Sequence, residues 1–198
     1  MKLFINLTSP YGRIARVALR EKGLLPQIDE QVIDPWADPP EFFAANSAAK
    51  VPTLVLDDGR VLTESLLIVQ WLEATRPQPS LLGSDPAGVL SQAGIAMGVI
   101  DAAVVIIINR KTVTTGYDEL PVGVRRTRTM SEGLKRLNAD PPAYGGGTPS
   151  LAVIATVDAL DYIRFRFPAA AWLPKVDALD RLVQATSDRA SIVETRPK

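Results

Sequence analysis

The sequence of 198 residues contains no cysteine and no histidine. Without thiolate or imidazole ligands, this chain cannot build the common zinc, copper, haem or iron–sulfur sites. The same absences exclude a disulfide, a Ser-His-Asp triad, a Cys-His pair and a histidine general base. An oxygen-only site for Mg²⁺ or Ca²⁺ remains open, but the sequence has no EF-hand loop. We therefore expect no bound metal.

The sequence also lacks an excess of charge, with 22 Lys and Arg residues against 22 Asp and Glu residues. Non-specific binding to nucleic acid or to an anionic membrane needs a basic excess, so we expect neither partner. The N-terminal residues have no long apolar run or small-residue cleavage site of a signal peptide. The most apolar stretch, residues 93–108, contains Asp101 and two glycines, which favours a buried bundle helix over a membrane span. These features predict a cytoplasmic protein.

The hydrophobic periodicity divides the chain into two parts. Up to residue 77, short apolar strands alternate with helices in the order β-α-β-(α)-β-β-α, which is typical of an α/β unit of thioredoxin size. After residue 84 the strand signals disappear and helical patterns follow. The predicted helices of this second part cover residues 85–109, 121–138, 150–165 and 174–186. We therefore predict two domains, over residues 1–77 and 84–198.

The segment Thr8-Ser9-Pro10-Tyr11 lies between the first predicted strand and the first predicted helix. Serine followed by proline is typical of a helix start, with Ser9 as the cap and Pro10 in the first helical position. The exposed N–H groups and the dipole of a helix start also favour an anion, and they push a bound thiol toward thiolate. Capping alone accounts for the segment, so both interpretations stay open at this point.

A second segment, Lys50-Val51-Pro52-Thr53, opens a predicted strand. Proline is common at the first residue of a strand, and this ordinary role accounts for Pro52. If the Val51–Pro52 bond is cis, however, the Val51 backbone presents a free edge to which an extended peptide can pair.

The third segment, Glu64-Ser65, opens the helix that ends the α/β part. A hydroxyl and free N–H groups at a helix start suit a carboxylate, while a glutamate suits an ammonium group. Together they match the α-amino-acid end of a ligand. The alternative is that Thr63 caps the helix and Glu64 is an acidic residue of its first turn.

The three segments follow one another within one small α/β unit, and in this combination the chain resembles a glutathione S-transferase over nearly all its length. The resemblance rests on residues 9–13, 46–54 and 62–73, and residues 81–83 and 162–168 resemble bacterial members. It implies an α/β thioredoxin-like N-terminal domain and an all-α helical-bundle C-terminal domain. It also implies glutathione as co-substrate, a role in detoxification and a homodimer.

The resemblance places Ser9 at the catalytic position of the serine- and cysteine-type classes. Cysteine-type chemistry is excluded, so Ser9 would donate a hydrogen bond to the glutathione sulfur. The free thiol has a pKa of ~8.5, and one hydroxyl with a helix dipole would lower it. Thr8 and Tyr11 are lower-ranked candidates for the same contact.

The resemblance assigns the other glutathione contacts to the second and third segments. Val51, beside a cis-Pro52, would pair with the cysteinyl backbone of the tripeptide. Glu64 and Ser65 would bind the γ-glutamyl end, and Lys50 would approach the glycyl carboxylate.

The second substrate would be a small apolar electrophile held between the domains by the long helix after residue 84. Candidate lining residues on this helix are Met97, Ile100, Asp101, Val104 and Val105, although core packing also explains such a stretch. Trp36 would either flank the glutathione site or cover the core. The basic residues of the next helix, Arg125, Arg126, Arg128, Lys135 and Arg136, are interpreted as a solvated face.

One position departs from the family pattern. The penultimate helix often opens with a Ser/Thr-x-x-Asp capping box, but here Val153 stands where the aspartate is expected, and Thr148-Pro149 offers another start.

Two further functions stay open: a non-catalytic binding or regulatory protein of the same fold, and a glutathione-dependent isomerase, dehalogenase or peroxidase.

Overall fold

The computed structural model describes residues 1–112 and 116–198. The chain forms two compact units. The first combines residues 1–81 with residues 188–198, and the second consists of residues 82–187. The sequence prediction assigned residues 188–198 to the second domain, whereas they pack with the first unit. The hydrophobic periodicity does not reveal that residues 188–198 go back to the first unit, because the helix in this segment has only 4 residues.

The first unit is built on a four-stranded sheet of order β2-β1-β3-β4. Its strands are β1 (Lys2–Ile5), β2 (Asp29–Val32), β3 (Thr53–Val55) and β4 (Val61–Thr63). β1 and β2 are parallel, whereas β3 is antiparallel to both of its neighbours. The carboxyl ends of β1, β2 and β4 therefore meet the start of β3 at one edge, here named the common edge. The hairpin turn between β3 and β4 is at the opposite edge, where Gly59 has a φ of +84°.

Eight helices belong to the described residues. They are α1 (Pro10–Glu21), α2 (Pro40–Ala45), α3 (Ser65–Thr75), α4 (Pro86–Thr112), α5 (Pro121–Ala139), α6 (Leu151–Arg166), α7 (Asp177–Ala185) and α8 (Ala190–Val193). In the first unit α1 packs against α3 and α8. Its buried face includes Ile14, Val17 and Ala18, and Gly23 follows its end with a φ of +68°.

The second unit is all-helical, and α4 packs against both α5 and α6. By length and composition alone, α4 is long and apolar enough to cross a membrane. In its most apolar stretch of 18 residues, 39% is buried inside the protein. Seven of its residues, among them Val99, Ile100 and Ile106, are buried. α6 is deeply buried, because every residue from Leu151 to Ile163 except Asp161 lies in the core.

The start of α6 resolves the departure from the family pattern. The helix begins at Leu151, and the Ser150 hydroxyl accepts a hydrogen bond from the Val153 N–H at 3.3 Å. The alternative start at Thr148-Pro149 is not used. Val153 is fully buried, so the position that lacks the capping carboxylate contributes apolar packing instead.

Candidate functional site

The register of the sheet gathers the three sequence segments at the common edge. Phe4 pairs with Thr53, and Thr53 pairs with Thr63. At these pairs β3 begins and β4 ends, and β1 ends one residue further on. The turn into α1, the start of β3 and the start of α3 therefore adjoin one another. A ligand at this edge can contact all three.

Ser9 is the cap of α1, as the first interpretation of its segment predicts. Its hydroxyl oxygen accepts a hydrogen bond from the Gly12 N–H at 3.1 Å, and its carbonyl accepts one from the Arg13 N–H at 3.0 Å. Pro10 occupies the first turn, and this turn contains no acidic residue that would offset the helix dipole. Among the described residues no acceptor takes the Ser9 hydroxyl proton. This half-buried hydroxyl can therefore keep its capping bond and still donate to a bound group.

Asn6 shapes the turn that leads into α1, a role that the sequence interpretation missed. Its side-chain oxygen accepts hydrogen bonds from the Thr8 N–H at 3.0 Å and from the Thr8 hydroxyl at 2.8 Å. Its amide group donates to the Ile33 carbonyl at 3.2 Å, which connects the ends of β1 and β2. An asparagine directly after a strand is the signal that could have revealed this turn. Since Asn6 already takes the Thr8 proton, Thr8 is a weaker donor candidate than Ser9.

The Val51–Pro52 peptide bond is cis. Within residues 1–112 and 116–198, the Val51 N–H and C=O have no hydrogen-bond partner, although only Pro52 separates this residue from β3. The side-chain amide of the buried Asn46 supports this turn, donating to the Lys50 carbonyl at 3.0 Å and to the Thr53 hydroxyl at 2.9 Å. The turn thus offers the free main-chain edge that an extended peptide requires. The Lys50 side chain is exposed beside it.

The start of α3 differs from the capping alternative considered for Thr63, which lies in β4. The cap residue is Glu64, with φ 64° and ψ 124°, and its side chain makes no capping bond. A non-glycine residue with positive φ carries strain and is often found at a binding site. Glu64 is exposed, whereas Ser65 is only 2% exposed. Because no described residue bonds the Ser65 hydroxyl, this hydroxyl and the helix N-terminus remain available for a carboxylate.

Buried ion pairs hold α1, the helix that carries Ser9, in the first unit. The guanidinium of Arg16 contacts both oxygens of Glu30 on β2 at 3.1–3.2 Å, and Arg20 pairs with the same carboxylate at 2.6 Å. Burial by itself raises the pKa of Glu30, but the hydrogen bonds and charges of Arg20 and Arg16 outweigh it. The pKa of Glu30 is consequently lowered.

Lys22 follows α1 and is fully buried. Its ammonium group donates to the Arg76 and Pro79 carbonyls at 2.7 and 2.6 Å and pairs with Glu73 at 2.5 Å. Burial raises the pKa of Glu73, yet bonds from Lys22, Leu81 and Ser80 leave it lowered overall. A second cis bond, Gln78–Pro79, lies in this anchored segment and had no counterpart among the sequence predictions.

The residues predicted to contact a second substrate belong to α4 and differ in exposure. Met97, Val104 and Val105 are half-buried and Asp101 is exposed, whereas Ile100 is fully buried and belongs to the core. Trp36 follows β2 and is 64% exposed, so it does not cover the core.

Two further expectations concern charge and metals. Of the five basic residues on α5, Arg126 is half-buried, whereas Arg125, Arg128, Lys135 and Arg136 are exposed and form the solvated face that was expected. The described residues contain no group of three Asp or Glu side chains that could hold a metal ion.

Comparison with known proteins connects this geometry to a family. A model described as the N-terminal domain of glutathione S-transferase matches residues 8–75. The uncharacterized GST-like protein YibF of Escherichia coli is 28% identical over 204 residues, covering 100% of this chain and 98% of its own. Maleylacetoacetate isomerase of Pseudomonas aeruginosa is 31% identical over 199 residues, covering 93% of this chain and 92% of its own.

The structural comparison agrees with the sequence comparison. A crystal structure of a glutathione S-transferase from Methylobacillus flagellatus with glutathione bound has a TM-score of 0.86 and 30% sequence identity. The match covers 100% of this chain and 99% of that chain, so it includes both the α/β unit and the helical unit. The chain belongs to the glutathione S-transferase family.

Proposed function

We propose that this protein is a glutathione transferase, which binds glutathione at the common edge and activates its thiol for attack on a small apolar electrophile. The observation that carries the proposal is the set of polar groups at this edge to which no described residue bonds. They are the Val51 main chain, the Ser65 hydroxyl with the N-terminus of α3, and the Ser9 hydroxyl proton. Glutathione is an extended tripeptide with a carboxylate at each end and a thiol in the middle. Its chemistry matches these groups one by one.

Each proposed contact follows from this match. The cysteinyl main chain pairs with Val51 beside the cis-Pro52. The γ-glutamyl carboxylate binds Ser65 and the N-terminus of α3, while its ammonium group pairs with Glu64. The exposed Lys50 approaches the glycyl carboxylate. These roles are proposals, supported by the free hydrogen-bonding capacity of Val51 and Ser65 and by the positive φ of Glu64.

Ser9 is the proposed catalytic residue. Its hydroxyl donates to the glutathione sulfur while its oxygen keeps the bond from the Gly12 N–H. The uncompensated dipole of α1 adds to this bond, and both favour the thiolate over the thiol. The thiol proton passes to solvent, and the thiolate forms a new C–S bond with the electrophile as the leaving group departs with its bonding electrons. The sulfur of glutathione is the only thiol that the reaction has, because the sequence has no cysteine.

Calorimetric titration with glutathione and with S-methylglutathione tests the site and the role of Ser9 separately. We expect Ser9→Ala to weaken binding of glutathione at neutral pH and to lower the turnover of a chlorodinitrobenzene electrophile about 10- to 100-fold. S-methylglutathione, which has no ionisable thiol, should bind the wild type and the variant equally. Ser9→Thr keeps the hydroxyl and serves as the matched control.

Two results would contradict the proposal at different levels. If neither ligand binds the wild type at millimolar concentration, the protein has no glutathione site. If Ser9→Ala binds glutathione and turns over like the wild type, the thiol contact belongs to Thr8, Tyr11 or the backbone.

A glutathione-dependent isomerase is the second candidate, because a maleylacetoacetate isomerase is among the relatives that match most of the chain. In an isomerisation the thiolate adds to the substrate and leaves again, so glutathione is not consumed. Measuring free thiol during turnover therefore separates the two reactions. A transferase loses one thiol for each product formed, and an isomerase loses none. Binding of glutathione without turnover of either substrate type would instead favour a non-catalytic binding protein.

The remaining expectations belong to the same proposal. We propose a cytoplasmic homodimer that uses no metal and does not bind nucleic acid or membranes. The equal numbers of acidic and basic residues support the last two points. Sedimentation equilibrium of the purified protein tests the dimer.

A further inference from the structure

Residues 188–198 form a segment, here named the return segment, that packs against α1 in the first unit. Ile192 and Thr195 are 2% and 0% exposed, and Ser191 is 6% exposed. The return segment is therefore part of the first unit's core.

One contact of the return segment is made at the C-terminal end of α1. The Glu21 side chain is 3% exposed and accepts a hydrogen bond from the Arg189 Nε at 2.9 Å. A second guanidinium nitrogen of Arg189 and the Ser191 hydroxyl contact the same carboxylate. These hydrogen bonds hold the return segment against α1. Losing any of the donors would leave the Glu21 carboxylate less well compensated in a poorly solvated site.

Another contact is made close to the N-terminal end of α1. Arg13 is 3% exposed, and its guanidinium donates to the Ile192 carbonyl at 3.3 Å and to the Thr195 hydroxyl at 3.4 Å. The Thr195 hydroxyl donates in turn to the Ser191 carbonyl at 2.7 Å. The return segment thus contacts both ends of α1 through polar groups that are shielded from water.

Arg13 connects the return segment to Ser9. The Arg13 N–H donates to the Ser9 carbonyl, and the preceding residue, Gly12, donates to the Ser9 hydroxyl. Any displacement of Arg13 therefore changes the geometry of the Ser9 cap directly.

From these contacts we infer that the return segment positions the thiol-activating end of α1, with Arg13 and Thr195 as positioning residues that act through Ser9. This inference rests on the proposed glutathione-binding function. Neither residue touches the ligand. Their effect is to keep the first turn of α1, and with it the Ser9 hydroxyl, in the geometry that holds the sulfur.

The experiment compares two substitutions in neighbouring residues of the return segment. Thr195→Val removes the hydroxyl that Arg13 contacts and keeps the shape of the side chain. Glu194→Gln is the matched control, because it alters the 3.5 Å contact with Arg20, a residue in the last turn of α1. Thr195→Ser keeps the hydroxyl and should restore the behaviour of the wild type.

The first measurement is amide hydrogen exchange of the ligand-free protein. We expect Thr195→Val to speed exchange of the Gly12 and Arg13 amides about tenfold, and Glu194→Gln to leave both unchanged. If Thr195→Val does not fold, Arg13→Lys replaces it, because lysine keeps the charge but cannot reach both acceptors. Unchanged exchange at Gly12 and Arg13, or an equal effect of Glu194→Gln, would overturn the inference.

The second measurement is a pH titration of bound glutathione, followed by the ultraviolet absorbance of its thiolate. We expect the bound thiol of Thr195→Val to have a pKa higher by about half a pH unit, which is roughly a threefold fall in the thiolate-to-thiol ratio. A titration that is the same as in the wild type would also overturn the inference. If the wild type binds no glutathione, the proposed function fails, while the exchange measurement still decides whether the return segment holds α1.

Discussion

Glu64 is one of three described non-glycine residues with a positive φ, together with Asp38 and Ala49. Its φ of 64° and ψ of 124° belong to a region that glycine occupies easily and glutamate does not. Its side chain makes no capping bond to α3, and no other residue in 1–112 and 116–198 bonds its carboxylate. The Glu64 carbonyl accepts the first bond of α3 from the Ile68 N–H, but the strained residue's carboxylate bonds no described residue, and we propose the ammonium group of glutathione as its partner.

This interpretation predicts that Glu64→Gly makes the protein more stable and weakens its binding of glutathione. The strain of a non-glycine residue at such a position is about 1–3 kcal/mol, and the extra freedom of glycine in the unfolded chain costs about 0.5–1 kcal/mol. We therefore expect the free energy of unfolding to rise by about 1 kcal/mol. We expect glutathione to bind about tenfold more weakly, since a charge-assisted contact is lost.

Urea denaturation and calorimetric titration measure the two effects separately. Glu64→Ala is the matched control, because alanine also removes the carboxylate but retains the strain. It should weaken binding to a similar extent without stabilising the protein. A Glu64→Gly variant that is less stable than the wild type would show that the conformation carries no strain.

At the scale of helices, glycine has opposite roles on the two neighbours α4 and α5. A Cβ atom added at Gly133 of α5 would lie 2.4 Å from the Val99 Cγ2, so the two helices approach each other closely at this point. At Gly98 of α4, by contrast, an added Cβ meets no atom within 4 Å. Gly133 is therefore required by packing, whereas Gly98 only lowers the helix propensity.

The two positions predict opposite changes in stability. Gly133→Ala forces a methyl group into the contact with Val99, and we expect it to lower the free energy of unfolding by about 1–3 kcal/mol. Gly98→Ala adds a better helix former in open space and should raise the free energy by up to about 1 kcal/mol. Denaturant titration of both variants checks the pair. A stabilised Gly133→Ala variant would mean that α4 and α5 separate without cost.

Most elements of the fold could be predicted from the sequence because their signals are local. Ser9-Pro10 and Gly23 delimit α1, and the Asp-Gly turn defines the β3–β4 hairpin. The stretches that form α4, α5 and α6 each exceed four helical turns without a strand signal. The short α8 has no such signal, since a single turn shows no periodicity. Its place depends on contacts with Glu21 and Arg13, which are remote in sequence.

The candidate site was predictable to a different degree. The resemblance singled out Ser9, Val51, Pro52, Glu64 and Ser65, and the cis bond before Pro52 is confirmed. The supporting amides of Asn6 and Asn46 were missed, because each acts through side-chain bonds to turns whose shape is set by the assembled sheet. Sequence patterns thus identify residues that would contact a ligand, but they identify less readily the residues that hold these contact residues in place.

At the scale of the whole molecule, the adjacent residues Glu21 and Lys22 bind the two segments of the first unit that connect to the helical unit. Lys22 binds the segment that leaves the first unit, through the Arg76 and Pro79 carbonyls and Glu73. Glu21 binds the segment that comes back, through Arg189 and Ser191. The C-terminal end of α1 is thus the common attachment of both passages.

The Lys22–Glu73 pair predicts how stability depends on pH. The pKa of Glu73 is lowered in the folded protein from its ordinary value of 4.5. The unfolded chain therefore takes up a proton first as the pH falls, so the stabilisation is present above about pH 4.5 and is lost as the pH drops through the folded-state pKa. We expect the wild type to lose stability below pH 4.5, with Glu30 contributing in the same direction.

Glu73→Gln tests this pair. The variant should be less stable at neutral pH by about 3–5 kcal/mol, because Lys22 keeps its buried charge without a carboxylate. Its stability should depend less steeply on pH in the acid range than that of the wild type. High salt should leave this difference in place, since buried pairs are poorly screened. Equal acid slopes for the two proteins would contradict the assignment.

The return segment has a consequence for the order in which the protein is made. Glu21 and Arg189 are 168 positions apart, and every residue of the helical unit lies between them. During synthesis the sheet and α1 leave the ribosome first, yet the last partners of α1 emerge only after the helical unit has been translated. The first unit therefore begins before the helical unit and is completed after it. A nascent chain stopped before residue 188 still exposes the face of α1 that the return segment covers.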